Sequence, residues 1–235
     1  MQSTDKNQKL SCPGSLILRT VVNTSFYLSP DGAKQIVVGH RVEEQFPTVI
    51  KFLKHSSVEN GIDFTVGEFQ QLVLNSGEVG QYLRGSEDTR PDIVLSERRT
   101  LEFKLLYKSK SVVLTESVPE PGYYARQIVF QEASWLYLLS LFPAILATVD
   151  KCTNNEQHLV RVFENICKNL ISECQYFDEE AVVYMLKTLK PTTFEDGVFS
   201  PSDFLIVFNE LKQACRKLIV NVILKDKSGF YFHKN

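Results

Sequence analysis

Gly61-Ile62-Asp63-Phe64-Thr65-Val66-Gly67-Glu68-Phe69-Gln70-Gln71-Leu72 is the stretch whose reading decides the fold. Ile62, Asp63 and Phe64 alternate apolar and polar, as a half-buried strand does. Thr65 is a helix N-cap, and Glu68 stands three residues later. At that spacing each side chain satisfies the other residue's free backbone N–H. Phe69, Leu72 and Val73 then recur at helical spacing. The stretch predicts a strand that runs straight into a capped helix over about Val66 to Leu74, loosened beyond by Gly77 and Gly80. The same shape returns downstream. Ile128-Val129-Phe130 is an apolar run, and Gln131-Glu132-Ala133-Ser134 leads into Trp135, Leu138 and Leu139. Phe64 matches Phe130, Phe69 matches Trp135, and Leu72 matches Leu138. We read this as an internal repeat. Phe69 and Leu72 are expected to meet Trp135 and Leu138 across a helix–helix seam.

Outward from these two stretches, strands precede each helix. Ser15 to Leu28, Gln35 to Glu43 and Thr48 to His55 carry the β-branched, aromatic and alternating patterns of strands. Ser29-Pro30-Asp31-Gly32 is a turn, and Ser56 to Asn60 reads as a loop. After the polar Gly85 to Arg90, strands resume at Asp92 to Ser96, Thr100 to Lys108, Ser111 to Glu116 and Tyr124 to Phe130. The second helix is expected over Glu132 to Thr148. Beyond about Asp150 only helices are expected: a stripe of Leu159, Val162, Phe163, Ile166 and Leu170, a short helix capped by Asp178, and one begun by Ser200-Pro201. Phe204, Phe208, Leu211, Cys215, Leu218 and Val222 share a face of that last helix. Its spacing suits either core packing or self-association through the C-terminal helices. The fold class is therefore α+β. It divides into an N-terminal arm (1–14), a first sheet-and-helix repeat (15–85), a second (86–150) and an all-α C-terminal region (151–235).

Composition narrows the function. The chain has 235 residues, 43% of them hydrophobic and 23% charged, and a formal net charge of −2. That is ordinary globular composition, and it excludes binding by bulk positive charge, so any nucleic-acid contact rests on local charge. The five cysteines, Cys12, Cys152, Cys167, Cys174 and Cys215, form no Cys-x-x-Cys pair. They read as thiols of a reducing compartment rather than metal ligands. No cofactor is implied: Gly-x-Gly-x-x-Gly, Walker and Gly-x-Ser-x-Gly motifs are absent. Residues 1–15 lack an apolar leader segment, and the apolar run Trp135 to Val149 is shorter than a bilayer span. A soluble, intracellular protein with no membrane partner is expected.

Two constellations carry possible chemistry. Arg98, Arg99, Lys104, Lys108 and Lys110 fall within thirteen residues read as a basic, aromatic strand, with only Glu102 against them. Alternation predicts Lys104, Lys108 and Lys110 on one face, and Phe103, Leu105 and Tyr107 on the other. The first repeat offers Arg41, Lys51 and Lys54. Cations for phosphates beside aromatic faces for bases are what single-stranded nucleic acid requires. The second constellation is Asp92, then Glu102-Phe103-Lys104. It resembles the PD-(D/E)xK nuclease signature, with Glu68 as a further acid for a divalent metal.

Strands ending in Gly-Ile-Asp-Phe-Thr, followed by Glu68-Phe69 and Leu72, also resemble the whirly-type single-stranded-DNA-binding family, the transcriptional positive cofactor four group. The second copy departs from the motif: Gln127 stands where Gly61 does, and Gln131 where Thr65 does. The resemblance covers about residues 15–150. It implies two tandem copies forming a pseudo-dimer that cradles single-stranded DNA or RNA without catalysis, in replication or transcription. The binding residues it points to are Lys51, Lys54, Lys104, Lys108 and Lys110, joined by Arg41, Arg98, Arg99 and Tyr107 from the charge pattern. The alternatives are a protein-assembly role that reuses the fold, and the metal-dependent nuclease.

Overall fold

The computed structural model describes residues 20–29, 32–43, 45–54, 57–117, 125–173, 179–190, 200–214 and 216–220. The N-terminal arm, Asp178, Cys215 and residues 221–235, Val222 among them, lie outside the described residues. The architecture is α+β. Two four-stranded antiparallel sheets each run in sequence order and deliver the chain to a helix. The first sheet holds β1 (Thr20–Tyr27), β2 (Lys34–Arg41), β3 (Thr48–Lys54) and β4 (Ser57–Thr65). The second holds β5 (Ile93–Ser96), β6 (Arg99–Leu106), β7 (Ser109–Glu116) and β8 (Arg126–Phe130). Residues 57–60, expected as a loop, belong to β4.

The two strand-to-helix junctions are built from the residues that announced them. Helix α1 (Val66–Leu74) starts on the full Thr65/Glu68 capping box. Glu68 N–H donates to Thr65 Oγ1 at 3.2 Å, and Thr65 N–H donates to Glu68 Oε2 at 2.9 Å. At the second junction Ser134 does the work instead. Its Oγ accepts from Gln131 N–H at 3.1 Å and donates to Gln131 O at 3.0 Å. The break after α1 falls at Asn75 rather than at a glycine, and Gly77 and Gly80 lie inside α2 (Ser76–Arg84).

Helix α3 (Glu132–Glu173) is 42 residues long, about 63 Å at 1.5 Å per residue, and it runs straight across the boundary expected at 150. Pro143 sits inside it on the exposed side, where the missing N–H leaves the core-facing bonds intact. Its N-terminal half is long and apolar enough to cross a membrane by length and composition alone. In this structure the apolar side of that half packs into a core instead.

That core is shared by both sheets. Ile36, Ile50, Phe52, Ile62 and Phe64 of the first sheet meet Leu101, Val112, Leu114, Ile128 and Phe130 of the second, with Phe69, Leu72, Trp135 and Leu138 among them. Phe52 and Phe130 cross edge-on at 6.2 Å, joining the sheets directly. The expected seam takes a different form. Phe69 and Trp135 share the core, but the Phe69 ring meets Phe142 at 5.8 Å, one turn further along α3 than Leu138, and α2 packs alongside α3.

A second core begins where α3 passes the end of the first sheet. It joins Val21, Phe46, Leu159, Val162, Phe163 and Ile166 to α4 (Glu179–Thr188) and α5 (Pro201–Ala214). Ser200 caps α5 as expected, accepting from Asp203 N–H at 3.2 Å. Phe208 and Leu211 are buried in this core. The α5 stripe expected for core or self-association is thus used within the chain at these two positions. Polar contacts tie the seam: Glu156 accepts from Thr48 N–H at 2.8 Å, and Glu210 from Val22 N–H at 2.9 Å. Val22 sits at a bulge in β1 with φ 55°, a costly angle for a β-branched residue.

Candidate nucleic-acid interface

Strand register decides which cations share a surface. Leu106 pairs with Ser109, so β6 and β7 are joined by a two-residue turn at Tyr107 and Lys108. Both residues have positive φ (52° and 63°), as in type I′ hairpins, where Asn-Gly is usual. The turn breaks the expected three-lysine face. Lys104 pairs with Ser111 on the side away from the core, whereas Lys110 pairs with Leu105 on the core side. There Lys110 donates to Gly85 O at 2.7 Å and lies 5.2 Å over the Tyr82 ring.

The nine expected contact residues fall into two groups. Five are presented to solvent. Lys54 ends β3, Arg98 sits in the β5–β6 turn, and Tyr107 and Lys108 form the β6–β7 tip, with Tyr107 97% exposed. Lys104 is half-exposed and ion-paired to Glu102 on its own strand. Burial raises the Glu102 carboxyl, but hydrogen bonds from Lys104 and Thr115 and the Lys104 charge together outweigh it and leave the group below its ordinary value.

The other four are built into the fold. Lys110 is held as described. Lys51 is 3% exposed and lies 3.4 Å from Asp63, its cross-strand partner. Burial lowers its pKa, against the pull of Asp63. Arg41 approaches Glu43 at 3.4 Å and the same Asp63 at 3.9 Å. Arg99 is the most deeply committed. Its guanidinium donates to Glu68 Oε1 at 2.6 Å and to Glu116 Oε1 at 2.7 Å, and lies 5.5 Å over the Phe64 ring. Arg99 thus clamps β6 to β7 within the second sheet and to α1 and β4 of the first.

Two cations in the same fabric gave no signal in the sequence. Arg126 donates to Gly61 O at 3.2 Å and to Glu116 Oε2 at 3.4 Å. Lys34 donates to Val129 O at 2.5 Å and lies 5.6 Å over the Phe130 ring. Both cross between the sheets, and such partners are invisible to local pattern. The outer sheet faces are also closed at their centres. Val37, Val49, Lys51 and Leu53 on one, and Ser111, Val113 and Thr115 on the other, are all buried.

Two of the three acids of the nuclease-like set, Glu68 and Glu102, are held by cations of the fold. Glu68 is engaged by Thr65 and Arg99; burial opposes its charge, but the Thr65 N–H and the Arg99 charge hold its pKa down. Glu102 is engaged by Lys104. Among the described residues no group of three or more His, Cys, Asp or Glu could hold a metal ion. No family model matches the sequence, and no curated protein or solved structure matches it significantly.

Proposed function

We propose that residues 20–150 form a single-chain, tandem version of a whirly-type unit that binds single-stranded nucleic acid without catalysis. The observation that carries this reading is the duplicated junction. Each four-stranded antiparallel meander carries a Phe at or next to its last position (Phe64, Phe130), a helix begins within two residues of it, and both sheets close on one core. The contact surface in this reading is smaller than the charge pattern implied. It consists of the β6–β7 tip with Lys104, Tyr107 and Lys108, with Lys54 of the first sheet and Arg98, at the opposite end of β6, as outlying exposed cations. Tyr107 offers a ring for base stacking and the cations offer phosphate contacts. A role in protecting or organising single strands during replication or transcription, in a soluble intracellular setting, goes with it.

Fluorescence anisotropy with a labelled oligothymidylate at low salt tests the reading. Four exposed cations give a log–log salt slope of about −3. Reversing Lys104 and Lys108 to Glu should weaken binding by at least about tenfold. No binding at low salt, or binding indifferent to that reversal, would refute it.

A protein-assembly role is the second reading. It is favoured by one observation: Arg41, Lys51 and Arg99 are neutralised inside the fold, and the outer sheet faces are closed. Full-length protein that ignores nucleic acid in the same titration would turn the balance toward it.

A further inference from the structure

From Ala133 to Val149 the chain carries no charged residue. Trp135, Leu138, Phe142, Ile145 and Val149 account for one side of this half of α3 and are buried in the shared core. The opposite side is exposed and equally uncharged. Ala133, Leu136, Tyr137, Ser140, Pro143, Ala144 and Ala147 lie on it, with Leu136 41% and Tyr137 50% exposed. Their spacing is a heptad pattern: Ala133, Ser140 and Ala147 share one position, and Leu136 and Pro143 the next. A solvated helix face is normally charged, so an uncharged face of this length calls for a cover.

We propose that this face is an isologous interface with a second copy of the chain, the two α3 helices lying antiparallel with the two-fold axis at Ser140. The sequence of the face selects that occupant. A two-fold axis at position 140 pairs Leu136 with the partner's Ala144 and Tyr137 with the partner's Pro143. Ala133 then meets the partner's Ala147, and Ser140 meets its own copy. Every large side chain meets a small or flat one, as a self-complementary patch requires. Ser140 Oγ already donates to Tyr137 O at 2.6 Å, so the hydroxyl enters an apolar seam with its donor satisfied.

The area is sufficient for a specific but modest dimer. Glu132 to Val149 spans about 27 Å of helix, and two such faces bury on the order of 1,000 Å² in total, the small end of specific interfaces. A lipid surface fits less well. The face has a single flanking cation, Lys151, at one end, its middle is small residues, and its other side is locked to both sheets. The dimer is independent of nucleic-acid binding.

Sedimentation equilibrium of the full chain from about 1 to 200 μM should show a monomer–dimer equilibrium with a dissociation constant near 10 μM. Ser140→Glu sets two carboxylates against each other on the axis and should raise that constant at least about tenfold. Circular dichroism and Trp135 fluorescence should not move, since Ser140 is exposed. Under mild oxidation, Ser140→Cys should cross-link to its own copy faster than Asn154→Cys or the unsubstituted chain, because only a residue on the axis meets itself. A monomer throughout the range, a dimer that survives Ser140→Glu, or equal cross-linking of the two cysteine variants would overturn the proposal. So would flotation of monomeric protein with phosphatidylcholine vesicles that Ser140→Glu abolishes, which assigns the face to lipid.

Discussion

Replacing Arg99 separates a structural role from a binding role at the most cationic part of the sequence. Arg99→Met keeps most of the aliphatic stem and removes the guanidinium, with both ion pairs and the contact over the Phe64 ring. Its side chain is 12% exposed, and those of Glu68 and Glu116 are 16% and 7% exposed, so solvent does little to replace what is lost. Breaking a buried ion pair by deleting one partner costs about 3–5 kcal/mol, because the other charge is left uncompensated. Glu116 keeps Arg126 at 3.4 Å and Glu68 keeps the Thr65 N–H, which places the expected loss at the lower end, about 3 kcal/mol. The assay is urea unfolding followed by Trp135, the only tryptophan, which is fully buried with its ring 5.7 Å from Phe130. With a slope of about 2–3 kcal/mol/M, the midpoint should fall by about 1 M. Arg99→Met with Glu68→Gln should recover part of the loss, since Glu68 is the carboxylate left without a cation and the second change removes its charge. A midpoint shift under about 0.2 M, with oligonucleotide binding abolished, would show that Arg99 serves a ligand and that the clamp reasoning is wrong.

The remaining predictions are these. Replacing Tyr107 and Lys108 by Asn and Gly relieves two positive-φ residues and should stabilise the second sheet by about 1 kcal/mol, read in the same urea assay; no gain would contradict the type I′ assignment. Thr65→Ala removes the side-chain half of the α1 capping box and should cost about 1 kcal/mol, whereas loss below about 0.3 would mean that Glu68 holds the junction alone. His40 is fully buried, with Nδ1 3.0 Å from Phe46 O and Nε2 unpartnered, and burial lowers its pKa against the raising influence of the Phe46 carbonyl and Glu156. The unfolded chain then binds the proton more readily. The His40 contribution is complete above the ordinary histidine range and is lost as pH falls through it. Thermal melts should drop between about pH 7.5 and 5.5, and His40→Asn should flatten that drop; a melt that rises toward acid would reverse the assignment.

Local signals were legible and non-local ones were not. Thr65 with Glu68, and Ser200 with Asp203, act within one helical turn, so their spacing alone reveals them. The strands of both sheets were visible through their β-branched alternation. The length of α3 was not. Asp150, Lys151, Asn154 and Asn155 read as an interruption, yet Ile145, Val149, Cys152 and Leu159 keep one stripe that passes from the first core to the second. Packing on both sides of the polar patch overrides its weak helix propensity. The β6–β7 turn was missed because Tyr107-Lys108 lacks the Asn or Gly that marks such turns, and the missed reversal moved Lys110 to the opposite face. The cation cluster misled for a related reason. Whether a lysine is free depends on what register places opposite it, and Asp63 reaches Lys51 only once β3 and β4 are paired.

The central claim is that the β6–β7 tip contacts single-stranded nucleic acid, and photo-cross-linking tests it most directly. Irradiating the full chain with an oligonucleotide carrying 5-iododeoxyuridine and mapping the adduct by mass spectrometry should place the cross-link on Tyr107. No adduct, or adducts confined to α4 and α5, would contradict it.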